Sequence, residues 1–351
     1  MLEHEDIRVR RGRRSGVAVI VAVHSRTLGP AIGGCRMRRY AGWREGVEDA
    51  LRLSEAMSLK CAVSGVPFGG GKSVIALPPG IEVTPALRRA ALEDLGELIE
   101  SFDGSYITGP DIGTGPDDML VIKERTEHVF CLPTARGGTG SSSGPTASGV
   151  LASLRAAAAR TLGTEDLAGR TAVVIGLGAV GAHLARSLRD QGAKVIVTDI
   201  DPAKRGLASA EGLGWIEPDR ALHTPADVLI PAAVGGLLGP AQAAAIEAPL
   251  IVGPTNNQLT DDAVADLLAE RGITWVPDFV ASAGGIIHTL AREIDELDDV
   301  SADARVEEIA TTTATLLDKS KQHGTTPLRE AHRLAAQRLT PRQPQPRARL
   351  R

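Results

Sequence analysis

The sequence predicts an α/β protein of two domains, the second built on a doubly wound parallel sheet. Three observations carry this. A chain of 351 residues is too long for one compact small domain and, at about 150 residues per domain, divides into two or so. Helix-strand alternation from about residue 146 to residue 276 argues a parallel sheet covered by helices. Ahead of it, Gly137-Gly138-Thr139-Gly140-Ser141-Ser142-Ser143-Gly144-Pro145 is the strongest compositional break in the chain and reads as a hinge or linker.

Taken in order, residues 16–23 form a continuous apolar run rich in β-branched side chains, which suits a buried strand. A helix should follow. Apolar positions recur at helical spacing over residues 43–60, placing Lys60 at the helix end. Residues 61–76 read as loop, glycine cluster and strand, with Lys72 held in the loop and the strand starting at Ser73. Another helix is expected over residues 85–101. Beyond the break, a helix over residues 146–161 precedes the strand 170–175. After Gly285 the chain turns helical again, and Thr326 followed by Pro327 has the N-cap and N1 chemistry of a last helix. Residues 340–351 read as a disordered, solvated tail.

Composition removes several function classes. With 43% hydrophobic and 23% charged residues the chain is ordinary globular material. No apolar run reaches the ~18 residues that span a bilayer, and the acidic opening Met1-Leu2-Glu3-His4-Glu5-Asp6 is unlike a signal peptide, so no membrane partner is expected. A formal net charge of -4 and only three Trp, two Tyr and four Phe give no field or stacking platform for nucleic acid. The eight His lack metal-site spacing, and no metal is expected. Cys35, Cys61 and Cys131, far apart and odd in number, read as buried thiols in a reducing cytoplasm.

The chemistry begins at Gly176-Leu177-Gly178-Ala179-Val180-Gly181, which follows an apolar strand and opens a helix. Strand, fingerprint, helix and a second strand ending in Asp199 make a whole dinucleotide-binding unit. Its glycines admit a tight turn and close approach of backbone to a pyrophosphate, which then sits on the helix N-terminus. Asp199 stands where a carboxylate accepts from the adenosine ribose, which favours NAD over NADP.

Gly69-Gly70-Gly71-Lys72-Ser73 invites a phosphate-loop reading and fails it on register: Val66 occupies the position that needs Gly, and a strand rather than a helix follows. A nucleotide triphosphatase is not expected. The remaining account is a pair of lysines, Lys60 and Lys72, facing one cavity. Mutual repulsion and partial desolvation then lower the pKa of the less well-paired amine, giving a general base. Asp111, in a turn-rich stretch, could orient it.

These residues bring out a resemblance to the amino-acid dehydrogenases of the glutamate, leucine, phenylalanine and valine family. It runs from Leu28-Gly29-Pro30-Ala31-Ile32-Gly33-Gly34-Cys35-Arg36-Met37 through Met57-Ser58-Leu59-Lys60, the Gly69 to Lys72 segment and Asp111-Ile112-Gly113-Thr114. It continues with Thr146-Ala147-Ser148-Gly149-Val150, the dinucleotide fingerprint, Gly253-Pro254-Thr255-Asn256-Asn257-Gln258-Leu259, and Pro277-Asp278-Phe279-Val280 before Ala283-Gly284-Gly285. The resemblance implies an N-terminal α/β substrate domain over residues 1–137, an NAD domain over residues 138–290, a cleft between them, and C-terminal helices over about 291–339 packing back toward the first domain. Lys60 with the Gly33-Gly34 backbone would bind the substrate α-carboxylate. Lys72 would be the general acid/base held by Asp111, which would also contact the substrate amine. Ile32, Met57, Ile286 and Thr289 would line the side-chain pocket and Asn257 would touch the substrate. Asn256 and Thr146 would join Gly176, Gly178, Ala179, Val180, Gly181 and Asp199 around NAD.

The implied reaction is reversible oxidative deamination of an apolar or aromatic L-amino acid to its 2-oxo acid and ammonium, by a homo-oligomer. Departures open two alternatives: the same chemistry on a non-proteinogenic amino acid or imine in specialised metabolism, or a dinucleotide-binding pseudoenzyme. Ser282 stands where relatives usually carry Asn, His288 replaces what is often Asn, and Ile32 stands where the glutamate-specific branch carries Lys. Glutamate is therefore not the expected substrate, although Thr289 admits a polar group.

Overall fold

The computed structural model describes residues 4–340 and arranges them about two sheets. The first region comprises β1 (Asp6–Arg11), β2 (Ala18–Ser25), β3 (Ala31–Arg39), α1 (Trp43–Ser64), β4 (Gly69–Leu77), α2 (Pro85–Glu100), β5 (Tyr106–Pro110) and α3 (Pro116–Lys123). The second runs α4 (Ser143–Thr161), β6 (Thr171–Ile175), α5 (Ala179–Asp190), β7 (Lys194–Thr198), α6 (Lys204–Ala210), β8 (Gly214–Trp215), β9 (Val228–Pro231), α7 (Pro240–Ala245), β10 (Leu250–Ile251), α8 (Ala263–Glu270) and β11 (Thr274–Trp275). Four helices close the chain: α9 (Asp278–Ala281), α10 (Gly284–Glu293), α11 (Asp299–His323) and α12 (Pro327–Leu339). Of the expected tail, all but Thr340 lies outside the described residues, as do residues 1–3.

The second sheet is wholly parallel, in the order β8-β7-β6-β9-β10-β11. This is the doubly wound arrangement expected from the sequence. Its strand order reverses between β6 and β9, and such sheets bind ligands at that switch point, beyond the strands' carboxyl ends. The first sheet is mixed, in the order β1-β2-β4-β3-β5, antiparallel from β1 to β4 and parallel from β4 to β5. The apolar run of β2 is continuous because both faces are covered. Val19, Val21 and Val23 pack with Leu92, Leu95 and Leu98 of α2, while Ile20 and Ala22 pack with Ala50 of α1.

Three expectations for the first region are corrected. A strand, β3, not a helix, follows β2, and β1 precedes it. Glycines at 33 and 34 and arginines at 36, 38 and 39 hide β3 from an apolar count. Helix α1 runs four residues past Lys60 and ends at Gly65, whose left-handed φ of 72° closes it. The triplet Gly69 to Gly71 and Lys72 belong to β4, not to a loop. The glycines let backbone approach backbone: a Cβ on Gly69 would lie 1.9 Å from Ser25 O, and one on Gly70 2.1 Å from Ser58 N.

Helix α4 starts at Ser143, inside the stretch expected to be linker. The glycine-rich crossing before it is tied down by Glu293 at the end of α10. That carboxylate accepts from Cys131 N at 2.9 Å and from Thr139 N and Oγ1, both at 2.6 Å. At the other end, Thr326 caps α12 through Arg329 N, with Pro327 at the first helical position, and Arg338 donates to Ala62 O and Val63 O at the last turn of α1.

Candidate active site

Lys72 projects from the middle of β4 and is 6% exposed. Its Nζ lies 2.8 Å from Asp111 Oδ2. Asp111 follows β5 in a turn stitched to β3: Asp111 N donates to Thr114 Oγ1, Thr114 Oγ1 donates to Cys35 O at 2.7 Å, and Met37 N donates to Ile112 O. Gly113 at φ 84° completes the turn, since a Cβ there would lie 2.0 Å from Met37 O. Burial would raise the Asp111 pKa, but the charges of Lys72 and Arg36 outweigh it and hold the carboxyl at about 2.

Beside this pair the β3–β4 ladder skips two residues. It pairs Ile32 with Gly70 and resumes at Cys35 with Ser73, passing over Gly33 and Gly34 opposite Lys72. Gly33 O instead accepts from Tyr106 Oη at 2.7 Å. A Cβ on Gly33 would fall 1.7 Å from Gly71 O, so no other residue fits there.

Lys60 comes from α1 and donates to Asn256 Oδ1 at 3.0 Å, across to the loop that follows β10. Burial pulls the Lys60 ammonium pKa down, and Asp278 offsets this only in part, while Lys72 adds to it. The depression expected of a general base thus falls on Lys60, whose hydrogen-bond partner is a neutral amide; the base role of Lys72, which holds a carboxylate, rests instead on the resemblance. Asn257 adopts φ 53°, and its N–H donates to Asp278 Oδ2 at 2.8 Å. Asp278 is buried, which raises its pKa.

The residues expected to line a side-chain pocket meet in one apolar cluster. Ile32 and Met57 join Ile286, and the cluster also contains Phe68, Phe130 and Leu290, which the sequence reading did not single out. Thr289 is set differently: its hydroxyl lies 3.4 Å from Thr139 Oγ1 and 3.5 Å from Cys131 Sγ, so its polar atom is engaged with the interdomain crossing. His288 faces α11, its Nε2 3.7 Å from Asp303.

The dinucleotide fingerprint sits at the switch point. Gly176 follows β6 at φ 106°, and a Cβ on Gly181 would lie 2.0 Å from Gly176 O, the close helix-strand packing the motif requires. Gly178 is the N-cap of α5, with nothing within 4 Å of a Cβ built there and no side-chain cap, so Ala179 and Val180 open the helix onto vacant space. That is where an anion's charge would be received. Asp199, at the end of β7, accepts from Leu177 N at 2.8 Å and from Lys204 Nζ at 2.7 Å. Buried hydroxyls of Thr198, Thr255 and Ser282 have no hydrogen-bond partner. Thr198 ends β7 and Thr255 lies in the loop after β10, at the carboxyl ends of the strands, where a polyhydroxylated cofactor can satisfy them. Thr146 packs against α10, its Oγ1 2.6 Å from where a Cβ on Gly285 would be. These features fit NAD. Among the described residues no cluster of His, Cys, Asp and Glu could hold a metal ion, and no helix is long and apolar enough to cross a membrane.

Comparison with known proteins decides the family. Residues 4–128 match the Glu/Leu/Phe/Val dehydrogenase dimerisation domain, and residues 196–343 match the Glutamate/Leucine/Phenylalanine/Valine dehydrogenase domain. The chain belongs to the Glu/Leu/Phe/Val dehydrogenase family. It is thus an amino-acid dehydrogenase, an oxidoreductase. Its residues 148–235 also match the NAD-binding domain of S-adenosyl-L-homocysteine hydrolase, in keeping with NAD as cofactor. Similar members of the family include the phenylalanine dehydrogenase of Bacillus thermotolerans, 36% identical and covering 97% of this chain and 90% of its own. The leucine dehydrogenase of Bacillus cereus is 37% identical over 96% of this chain and 91% of its own. Among solved structures, the L-tryptophan dehydrogenase of Nostoc punctiforme superposes with a TM-score of 0.79 at 31% identity, covering 96% of each chain.

Two charged residues of the candidate site escaped the sequence reading as well. Arg36 stands in a family motif but had no role, since its reach to Asp111 depends on β3 and β5 being neighbours in the sheet. Asp278 likewise stands in a family motif but had no role, because its partner Asn257 N–H comes from a loop 21 residues earlier.

Proposed function

We propose that this protein catalyses the NAD-dependent, reversible oxidative deamination of an apolar or aromatic L-amino acid to its 2-oxo acid and ammonium. The observation that carries the reading is the juxtaposition of the buried Lys72–Asp111 pair with an apolar cluster whose residues flank both Lys60 and Gly33 in sequence. Residues 1–137 supply the substrate side and residues 138–290 the cofactor side, with the helices of about 291–339 returning to the first.

Lys60 leaves Asn256 for the substrate α-carboxylate, and the Gly33-Gly34 backbone adds to that contact. The apolar side chain enters the cluster of Ile32, Met57, Phe68 and Ile286. Ile32, fully buried in that cluster, offers an acidic side chain no charge partner. Asp111 accepts from the substrate ammonium and orients Lys72. Lys72, unprotonated, takes a proton from the substrate ammonium and passes it to solvent; once the hydride has left, it takes a proton from the water that adds to the iminium carbon, gives it to the amino nitrogen, and takes the carbinol proton as ammonia departs and the carbonyl forms. NAD, when bound, supplies the acceptor for the hydride from Cα.

Assembly as a homo-oligomer is part of the proposal, supported by the match of residues 4–128 to a dimerisation domain. So is a cytoplasmic setting, which agrees with three free, buried cysteines. The test is NADH absorbance with each proteinogenic L-amino acid and, in reverse, each common 2-oxo acid with ammonium. Turnover with leucine- or phenylalanine-like substrates is expected. Silence in both directions would overturn the reading in favour of an unusual substrate or a pseudoenzyme.

A further inference from the structure

Arg36 is a buried cation, 7% exposed, that the proposed chemistry does not use directly. Its guanidinium bridges two carboxylates. Nε donates to Asp111 Oδ2 at 2.9 Å and Nη1 donates to Asp49 Oδ2 at 3.0 Å. Lys72 reaches the same Asp111 oxygen at 2.8 Å. One carboxylate oxygen thus serves two cations, and one of those cations is also claimed by a second carboxylate. Asp49 is itself held by the Tyr40 hydroxyl at 2.7 Å and by Arg52 at 2.6 Å, so Arg36 is anchored from behind.

The surroundings of Lys72 make this arrangement consequential. Asp111 faces it from the turn after β5, Arg36 and Cys35 from β3, and Lys60 acts on it from α1. Burial pushes the Cys35 thiol up to about 12, so it stays neutral. Asp111 is therefore the anion that holds the Lys72 proton in place. A lone Asp–Lys pair is a poor base, because the carboxylate stabilises the ammonium it must lose. A guanidinium remains charged throughout the working pH range and cannot relax by giving up its own proton.

We propose that Arg36 is a positioning residue for the reaction: by sharing the Asp111 oxygen it loosens that carboxylate's hold on Lys72, so the ammonium yields its proton more readily than a lone pair would allow. The inference rests on the proposed role of Lys72 as general base. Two effects act with one sign. Arg36 draws off part of the Asp111 field, and its own charge repels the Lys72 ammonium. Asp49 tempers both by holding the guanidinium back.

The test is the pH profile of kcat/KM for oxidative deamination of L-leucine or L-phenylalanine, whose acidic limb reports the base. Arg36→Gln is expected to move the midpoint of that limb upward by about one pH unit, and Arg36→Lys, which keeps a cation, to bring it most of the way back. Asp49→Asn is expected to move it the other way, because Arg36 then falls wholly to Asp111; this variant also carries the test should Arg36→Gln fail to fold. Opposite shifts are not what general loosening of the fold produces. A limb that stays in place while kcat drops at every pH, or that moves the same way in both variants, overturns the inference. Lys72→Ala separates the two levels: a limb that persists without Lys72 overturns the base assignment, whereas a limb that vanishes there but stays put in Arg36→Gln and Asp49→Asn overturns the role of Arg36 alone.

Discussion

Lys60 Nζ donates to Asn256 Oδ1 at 3.0 Å, a bond that joins α1 beside the first sheet to the loop after β10 in the second. The acceptor is neutral, and a carboxylate in its place would add the attraction of opposite charges to the bond. In the proposed reaction an incoming α-carboxylate would therefore displace the amide and free Asn256 for the cofactor. Lys60→Ala should raise KM for the amino acid about 10- to 100-fold while leaving the Kd for NAD, read by fluorescence quenching, unchanged. An unaltered KM would remove Lys60 from the substrate site.

Lys72 stands apart from Lys60 in holding a carboxylate partner. As the acid/base it should be indispensable to turnover and irrelevant to dinucleotide affinity. Lys72→Ala is expected to lower kcat by about 1,000-fold, with NAD binding intact by calorimetry. Turnover close to the parent's would show that the proton moves elsewhere.

The sequence made the second sheet legible and left half of the first one hidden. The βαβ unit from Thr171 to Asp199 is local, so its period and its glycines announce it. β3 is not local in that sense. Its glycines exist because Gly71 O would strike any Cβ at position 33, a constraint set by a neighbour 38 residues away. The triplet at 69 to 71 misled for the same reason: its backbone makes room for β2, α1 and Tyr106, whereas a sequence alone shows only flexibility. The resemblance marked Lys60, Lys72, Asp111, Ile32, Met57 and Ile286, and the structure brings the last three into one apolar cluster and Lys72 onto Asp111. Arg36, Phe130 and Asp278 depend on strand order and loop return, which no spacing records.

The glycine constraint has a direct consequence for stability. A methyl on Gly70 would lie 2.1 Å from Ser58 N and 2.6 Å from Ser54 O, both on the backbone of α1, which cannot yield without leaving the sheet. Gly70→Ala should cost about 3 kcal/mol or more, seen as a lower urea midpoint or loss of soluble protein. Gly178→Ala, where a Cβ meets nothing within 4 Å, should leave the midpoint nearly unchanged while weakening NAD. Equal midpoints for Gly70→Ala and the parent would contradict the packing described.

Asp111 links the site to acid stability. Its folded pKa of about 2 lies below the model-peptide value of 3.8, so the folded state binds its proton less readily than the unfolded chain. The stabilisation is fully present above the unfolded value and is lost as pH falls toward the folded one, with a magnitude of roughly 2 kcal/mol. The parent should therefore lose stability relative to Asp111→Asn between about pH 4 and pH 2. Parallel curves of unfolding free energy over that window, from urea titrations at each pH, would mean that the carboxylate contributes nothing through its charge.

In the proposed cofactor site, the choice between NAD and NADP turns on Asp199 and its neighbour. The Asp199 carboxylate accepts from Leu177 N and Lys204 Nζ, and from Asp201 N at 2.9 Å; burial opposes its ionisation, yet these bonds together hold its pKa below the ordinary value. A 2′-phosphate arriving there would meet a fixed negative charge. Lys204, however, already stands 2.7 Å from that carboxylate, and removing the acid leaves an ammonium poised for the phosphate. Asp199→Ala should thus shift the NADP-to-NAD ratio of kcat/KM toward NADP by about tenfold or more. The double variant with Lys204→Ala should return part of the way, since the cation that favoured the phosphate is gone. If the single and double variants give the same ratio, Lys204 plays no part in reading the phosphate; if the parent already prefers NADP, the ribose contact assigned to Asp199 is wrong.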